Sequence, residues 1–242
     1  MKATHTETNA KSFYDNFDGK LINDYVGGNP RMIAALQFMR SEVETSGASR
    51  ILDIGCGLGW SSYTLARAKG VESVVAVDLS SELIENAKRL FGHPNIQFEQ
   101  MDVTSNEKPI SGKFDAIVML DVYEHIPVTA RAGFHKALNL LLSDTGFVLF
   151  SCPTKDHQDY LRENKPSGLQ PVDEDVDIPE LLELADQLNA RLDYFRVCSI
   201  WSSRDYLHAI VRRESGNPPK ILRSRAAWRR LCAKFRVRLA RR

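Results

Sequence analysis

The stretch Ile51-Leu52-Asp53-Ile54-Gly55-Cys56-Gly57-Leu58-Gly59 constrains this chain more than any other. A short apolar strand runs straight into a glycine-rich turn, and a helical pattern follows from Trp60. Glycines permit unusual backbone angles and close approach of a ligand. A strand, tight turn and helix in that order place a ligand at the carboxyl edge of an open α/β sheet. The spacing from Gly55 is G-x-G-x-G, with Trp60 where a dinucleotide fingerprint has its last glycine. The G-x-x-x-x-G-K-[ST] loop of phosphate-binding proteins is also missing. Asp53 lies just before the loop. An acid there repels pyrophosphate and suits a cationic ligand, directly or through water.

The rest of the chain repeats the alternation. Apolar strands are expected at 50–54, 73–77, 96–100, 114–120 and 146–152. Helices are expected at 30–46, 60–69, 80–90, 129–142 and 179–189. Pro30 suits a first helical turn and Ser80 an N-cap. Residues 154–178 show little periodicity and read as a long loop. Two final strands, 191–200 and 206–211, flank the turn at 201–205. Apolar runs separated by helices indicate a mostly parallel sheet covered on both faces. Acids close successive strands. Asp78 can accept from both ribose hydroxyls, with Leu79 beside an adenine face. Asp102, next to Val103, can accept from an adenine amino group. Leu120 and Asp121 end the fourth strand. S-adenosylmethionine (SAM), with its ammonium and sulfonium, matches such an acidic edge.

These elements together resemble the class I SAM-dependent methyltransferases. The resemblance spans residues 50–152 and rests on the glycine motif at 51–59, Asp78, the Asp102-Val103 pair and the strand Phe114-Asp115-Ala116-Ile117-Val118-Met119-Leu120. The run Asp121-Val122-Tyr123-Glu124-His125-Ile126-Pro127 resembles the ubiquinone-biosynthesis-like small-molecule branch. The implied fold is Rossmann-like, with seven mostly parallel strands, a last strand antiparallel and an N-terminal helical cap over the cofactor. The implied product is S-adenosylhomocysteine (SAH). The domains divide as a cap at 1–46, a SAM-binding core at 47–213 and a tail at 214–242.

Within that frame Tyr14, Tyr25 and Arg31 cover the methionine end, with Arg31 on its carboxylate, although the tyrosines suit plain cap packing equally. Gly55, Cys56 and Gly57 join Asp53, Asp78, Leu79, Asp102, Val103 and Leu120 as cofactor residues. His125 is the candidate base for a hydroxyl acceptor. Asp121, Tyr123, Glu124 and His157 are candidate substrate contacts. The Asp173-Glu174-Asp175 cluster reads as a solvated face, His208 as a satisfied core histidine and Cys152 as buried. Motifs of DNA amino, cytosine-C5 and metal-dependent catechol methylation are missing, so no metal is expected.

Charge adds one further element. The chain holds 32 Lys/Arg and 31 Asp/Glu in 242 residues, a formal +1 that disfavours general nucleic-acid binding. The balance is uneven. Residues 1–213 carry a net −8 and residues 214–242 a net +9. Residues 219–242 read as a basic amphipathic helix, a pattern suited to a membrane surface or an acidic partner. The polar N-terminus and scattered cysteines fit a cytoplasmic protein, peripheral to a membrane if the tail docks there. The expected activity is methyl transfer from SAM to a small-molecule or glycan hydroxyl. RNA methylation and a non-catalytic SAM-binding role are the alternatives.

Overall fold

The structure is a computed structural model that describes residues 18–104 and 110–214. Tyr14 and the tail at 219–242 lie outside them. The chain enters through helices α1 (Asp18–Gly27) and α2 (Pro30–Ser46). The Asn29 side chain caps α2 by accepting from the Arg31 and Met32 N–H groups, and Pro30 fills the first position. There follow β1 (Arg50–Ile54), α3 (Trp60–Ala66), β2 (Ser73–Asp78), α4 (Ser81–Phe91), β3 (Ile96–Gln100), β4 (Phe114–Leu120) and a 3-10 turn (Tyr123–His125). Helix α5 (Val128–Leu141), β5 (Leu142–Pro153), α6 (Lys155–Asn164), α7 (Ile178–Gln187), β6 (Ala190–Cys198) and β7 (Tyr206–Arg213) complete the order.

The seven strands form one sheet in the order β3-β2-β1-β4-β5-β7-β6, and β7 alone runs antiparallel to its neighbours. Side chains alternate across the sheet. Ala116 and Val118 of β4 face one core, shared with Met39 of α2, Leu65 of α3 and Ile84 of α4. Ile117 and Met119 face the other, shared with Phe134 of α5 and Leu184 of α7. Strands buried on both faces lose the polar alternation of an exposed sheet, which explains their continuous apolar runs. The strand order reverses between β1 and β4, and the crevice outside their carboxyl ends is where open sheets of this kind bind ligands.

Two of the differences from expectation have a clear physical cause. Strand β5 begins at Leu142, not 146. Leu142 pairs with Phe114, and the register then jumps so that Ala116 faces Phe147, with the intervening residues bulged out. The expected loop after residue 153 contains α6. Thr154 caps it by accepting from the His157 N–H, and Asp159 pairs with both Lys155 and Arg162. This helix is polar almost throughout, so hydrophobic periodicity does not reveal it.

At the opposite end of the sheet Arg213 closes β7. Its Nε donates to the Leu188 carbonyl (3.0 Å), Nη1 to the Leu142 carbonyl (2.7 Å) and Nη2 to the Asn139 carbonyl (2.9 Å). One guanidinium thus satisfies chain ends of α5, α7 and β5, where a cation is also favoured by the helix dipoles. Arg213→Ala is expected to lower the unfolding free energy by about 2–4 kcal/mol. Urea unfolding with an unchanged m-value measures this. A midpoint equal to wild type shows that the carbonyls need no such partner.

Candidate functional site

The glycine loop is pinned from below. The Gly55 and Cys56 N–H groups both donate to the Val77 carbonyl (2.8 and 3.0 Å). Gly55 has φ +68°, and a Cβ there would stand 2.4 Å from Val122 Cγ2. Gly59 has φ +88°, and its Cβ would meet the Phe98 ring at 2.8 Å. Both positions therefore require glycine, for backbone angle and for space.

Each strand-end acid has its own task. Asp53 is buried, and its Oδ2 accepts from the Ser61 and Ser62 hydroxyls, both at 2.6 Å. Burial, helped by nearby Asp78 and opposed by the two hydroxyls, pushes it up to about 6. Its carboxylate thus ties the strand to the first turn of α3. Asp78 accepts from the Gly57 N–H (2.9 Å) and the Ser80 N–H (3.0 Å), so it shapes both the glycine loop and the start of α4. Asp102 accepts from the Thr104 N–H and hydroxyl. Leu79 is half-buried, Leu120 is buried, and Val103 packs against the second core.

Asp121 adopts φ +54°, a left-handed conformation uncommon for a side-chain-bearing residue. Its N–H donates to the Ser151 carbonyl (2.8 Å). Its Oδ2 lies 3.0 Å from Arg31 Nη2. Arg31 also donates from Nη1 to the Tyr206 hydroxyl (2.9 Å), and its guanidinium lies 5.4 Å from the Trp201 ring centroid. Arg31 Nε and Asp121 Oδ1 are buried and have no hydrogen-bond partner in the structure. Burial raises Asp121 against the opposing pull of Arg31.

Beyond Asp121 the 3-10 turn separates its three residues. Tyr123 does not face a substrate, contrary to expectation. It is 1% exposed in the second core, its ring stacks on His135, and its hydroxyl lies 2.9 Å from His135 Nε2. The left-handed Asp121 and the 3-10 turn that follows it direct Tyr123 into that core. Glu124 is also 1% exposed, and neither carboxylate oxygen has a hydrogen-bond partner. His125 Nδ1 lies 2.6 Å from the Val172 carbonyl oxygen and 3.2 Å from Asp173 Oδ1, while Nε2 lies 3.7 Å from Glu124 Oε1.

Burial pushes Glu124 up to about 8. For His125 burial works downward, but Glu124, Asp173 and the Val172 carbonyl outweigh it and lift the ring to about 9. Its carboxylate neighbours therefore favour the charged form of the His125 ring. Asp173 is no solvated acid: its side chain is 11% exposed and engages His125. His208 is buried as expected, stacked 4.9 Å from Phe38, but its Nδ1 lacks a partner. Burial and then Arg196 lower it to about 4.

Other expected residues lie at the margins. Tyr25 packs edge-on against Trp60 and Phe91, both at 5.0 Å. His157 stacks on Tyr160 of α6. Cys56 and Cys152 are buried, and burial raises both thiols. Among the described residues no group of three or more His, Cys, Asp or Glu could hold a metal ion, and no helix is long and apolar enough to cross a membrane. Sequence reasoning missed Asp173, Tyr206 and Gln158. The Thr-x-x-His start of α6 with Lys155 and Asp159 four apart was the available signal for Gln158. Tyr206, 175 residues from Arg31, carried none.

Comparisons with known proteins agree with this architecture. A family model described as a methyltransferase domain matches residues 28–213. The malonyl-[acyl-carrier protein] O-methyltransferase of Halalkalibacterium halodurans is 36% identical over 104 residues, 42% of this chain and 38% of that protein. The ubiquinone biosynthesis O-methyltransferase of Xanthomonas axonopodis is 32% identical, covering 38% of each chain. This chain thus spans well under half the length of these two relatives. The corresponding enzyme of Histophilus somni is 25% identical over 76% of this chain and 79% of its own. The magnesium protoporphyrin IX methyltransferase of Synechocystis superposes with TM-score 0.67 at 18% identity, over 86% of this chain and 100% of that one. With the family model covering most of its length and the same sheet at its centre, the chain belongs to the methyltransferase-domain family and has the class I SAM-dependent methyltransferase fold.

Proposed function

We propose that the protein transfers the methyl group of SAM to a hydroxyl of a small-molecule acceptor. One observation carries the cofactor assignment. Arg31 Nε and Asp121 Oδ1, a guanidinium donor and a carboxylate acceptor from one ion pair, are both buried and both lack a partner. Such a pair complements an α-amino-acid zwitterion, with carboxylate toward Arg31 and ammonium toward Asp121. The methionine end of SAM has that chemistry. Asp78 would hold the ribose, Asp102 and Val103 the adenine edge, and the Gly55–Gly59 loop admits close backbone approach. When bound, SAM supplies an electrophilic methyl group on a sulfonium.

The chain's own contribution is alignment and proton handling. Glu124 and His125 sit just past β4, within 3.7 Å of one another. Two groups this close titrate as a pair. A hydroxyl acceptor must shed a proton, and this pair is the buried proton acceptor at the strand end. Methyl transfer to oxygen of a small molecule is supported by the relatives named as ubiquinone biosynthesis O-methyltransferases.

Two measurements test the reading. Asp78→Asn is expected to weaken SAH binding about 10- to 100-fold by calorimetry, the worth of one or two charge-assisted hydrogen bonds. Unchanged affinity in this variant sinks the cofactor assignment. The second is pH dependence. The pair titrates as a unit, and with both groups displaced upward it loses its proton only above the ordinary histidine range. A base works only after that loss, so kcat/KM for the hydroxyl acceptor should rise from pH 7 to above 9. His125→Gln should lower kcat/KM and move the limb, because Glu124 is left to titrate without its cationic neighbour. A flat profile across that range in wild type counts against the pair as base.

A further inference from the structure

Groups from four elements face His125. Glu124 lies on its own turn. Asp121 follows β4 and is paired with Arg31 of α2. Val172 and Asp173 come from the segment between α6 and α7. Gln158 of α6 hydrogen-bonds Asp173. The Val172 carbonyl oxygen, 2.6 Å from Nδ1, can only accept. The hydrogen therefore stays on Nδ1 in both protonation states, and Nε2 is the nitrogen that gains and loses the proton.

Asp173 is itself fixed from several sides. Its Oδ2 accepts from the Gln170 N–H (2.7 Å), and its carbonyl accepts from Arg162 Nη2 (2.9 Å). The Glu174 N–H donates to the Glu124 carbonyl (2.8 Å), stitching the segment directly to the 3-10 turn. Asp175 pairs with Arg162 (2.7 Å) and Lys155 (3.4 Å) of α6. An acid that only solvated a surface would need none of these tethers. Gln158 adds a buried side chain whose Oε1 has no hydrogen-bond partner. Here a supporting polar shell holds a titrating ring in one orientation.

We propose that Asp173 is the positioning residue of His125: its carboxylate and the Val172 carbonyl hold Nδ1 protonated and present Nε2 to Glu124 and the acceptor. The role assigned to the acceptor rests on the methyl-transfer reading, whereas the hold on His125 stands on geometry alone. Asp173 also sustains the charge on the ring, because an adjacent anion favours the cation. Its effect is thus twofold, on proton affinity and on orientation.

Nitrogen-15 NMR of labelled histidines tests this directly. The chain has six histidines, and the His125 signal is the one lost in His125→Gln. In wild type the midpoint should lie well above the ordinary 6.5, with the Nδ1–H tautomer above it. Asp173→Asn should lower the midpoint by about one pH unit or more, and Asp173→Glu should recover most of the shift. In the transfer assay Asp173→Asn should move the rising limb to lower pH and depress the plateau kcat, with KM for SAM unchanged. A midpoint within about 0.3 pH unit of wild type in a folded Asp173→Asn overturns the proposal. SAH calorimetry on the same samples separates the two readings. Wild type that fails to bind SAH rejects the methyltransferase assignment, while the NMR midpoint still decides the role of Asp173.

Discussion

The site depends on the buried ion pair between Arg31 and Asp121. It joins the first turn of α2 to the end of β4, and through Tyr206 it reaches the antiparallel strand β7. Neither partner is free to choose its place. Arg31 is set by the Asn29 cap, and Asp121 is held in a left-handed conformation with its N–H on Ser151. Removing one member of such a pair strands the other charge in a poorly solvating interior, typically at about 3–5 kcal/mol. The geometry is tight but not saturated: one donor and one acceptor remain unpaired. A pair that existed only for stability would be expected to satisfy them. Leaving them unpaired is a destabilising choice that makes sense at a binding position.

The strand-end acids show how much of this was legible. Asp53, Asp78, Asp102 and Asp121 stand out in sequence because each follows or closes an apolar run. The strands follow from those runs, and the glycine loop follows from spacing. Their position along one edge of the sheet was therefore readable. Their division of labour was not. Asp53 turns inward to two serine hydroxyls, Asp78 accepts from two backbone N–H groups, Asp102 stays within a local turn, and Asp121 meets an arginine 90 residues earlier. Residue type and periodicity define which face an acid occupies. Its partner is set by long-range packing, which no local pattern encodes.

The same limit explains α6 and Asp173. Helix α6 is built from caps and charge pairs, not from an apolar stripe, so the period-3.6 signal is weak. Asp173 lies in a run of three acids that reads as solvent-facing by composition. Only the tethers from Arg162, Gln170 and Glu124 bring it to His125. Tyr123 fails in the opposite direction. Its place beside Glu124 and His125 in a functional-looking run suggested a contact, but a 3-10 turn sends neighbouring side chains to different sides. Adjacency in sequence is a poor guide wherever a strand ends.

The two buried histidines near the sheet edge carry the argument to function. His125 and His208 are both largely shielded from water, and burial pushes both toward the neutral form. Their neighbours separate them. His208 has Phe38 on its face and Arg196 nearby, and it stays neutral far below physiological pH. His125 has Glu124 on one side and Asp173 on the other, and it holds its proton past pH 8. Burial alone therefore does not set the charge of either ring. What does so is the unequal placement of the body's surplus acids, several of which converge at the end of β4. There they provide a carboxylate for Arg31, a buried acid beside His125 and an anchor behind its ring. An acidic edge of this kind both suits a cationic cofactor and keeps a buried imidazole charged. The acids at this strand end thus divide between two tasks: Asp121 answers Arg31, while Glu124 and Asp173 set the charge on His125.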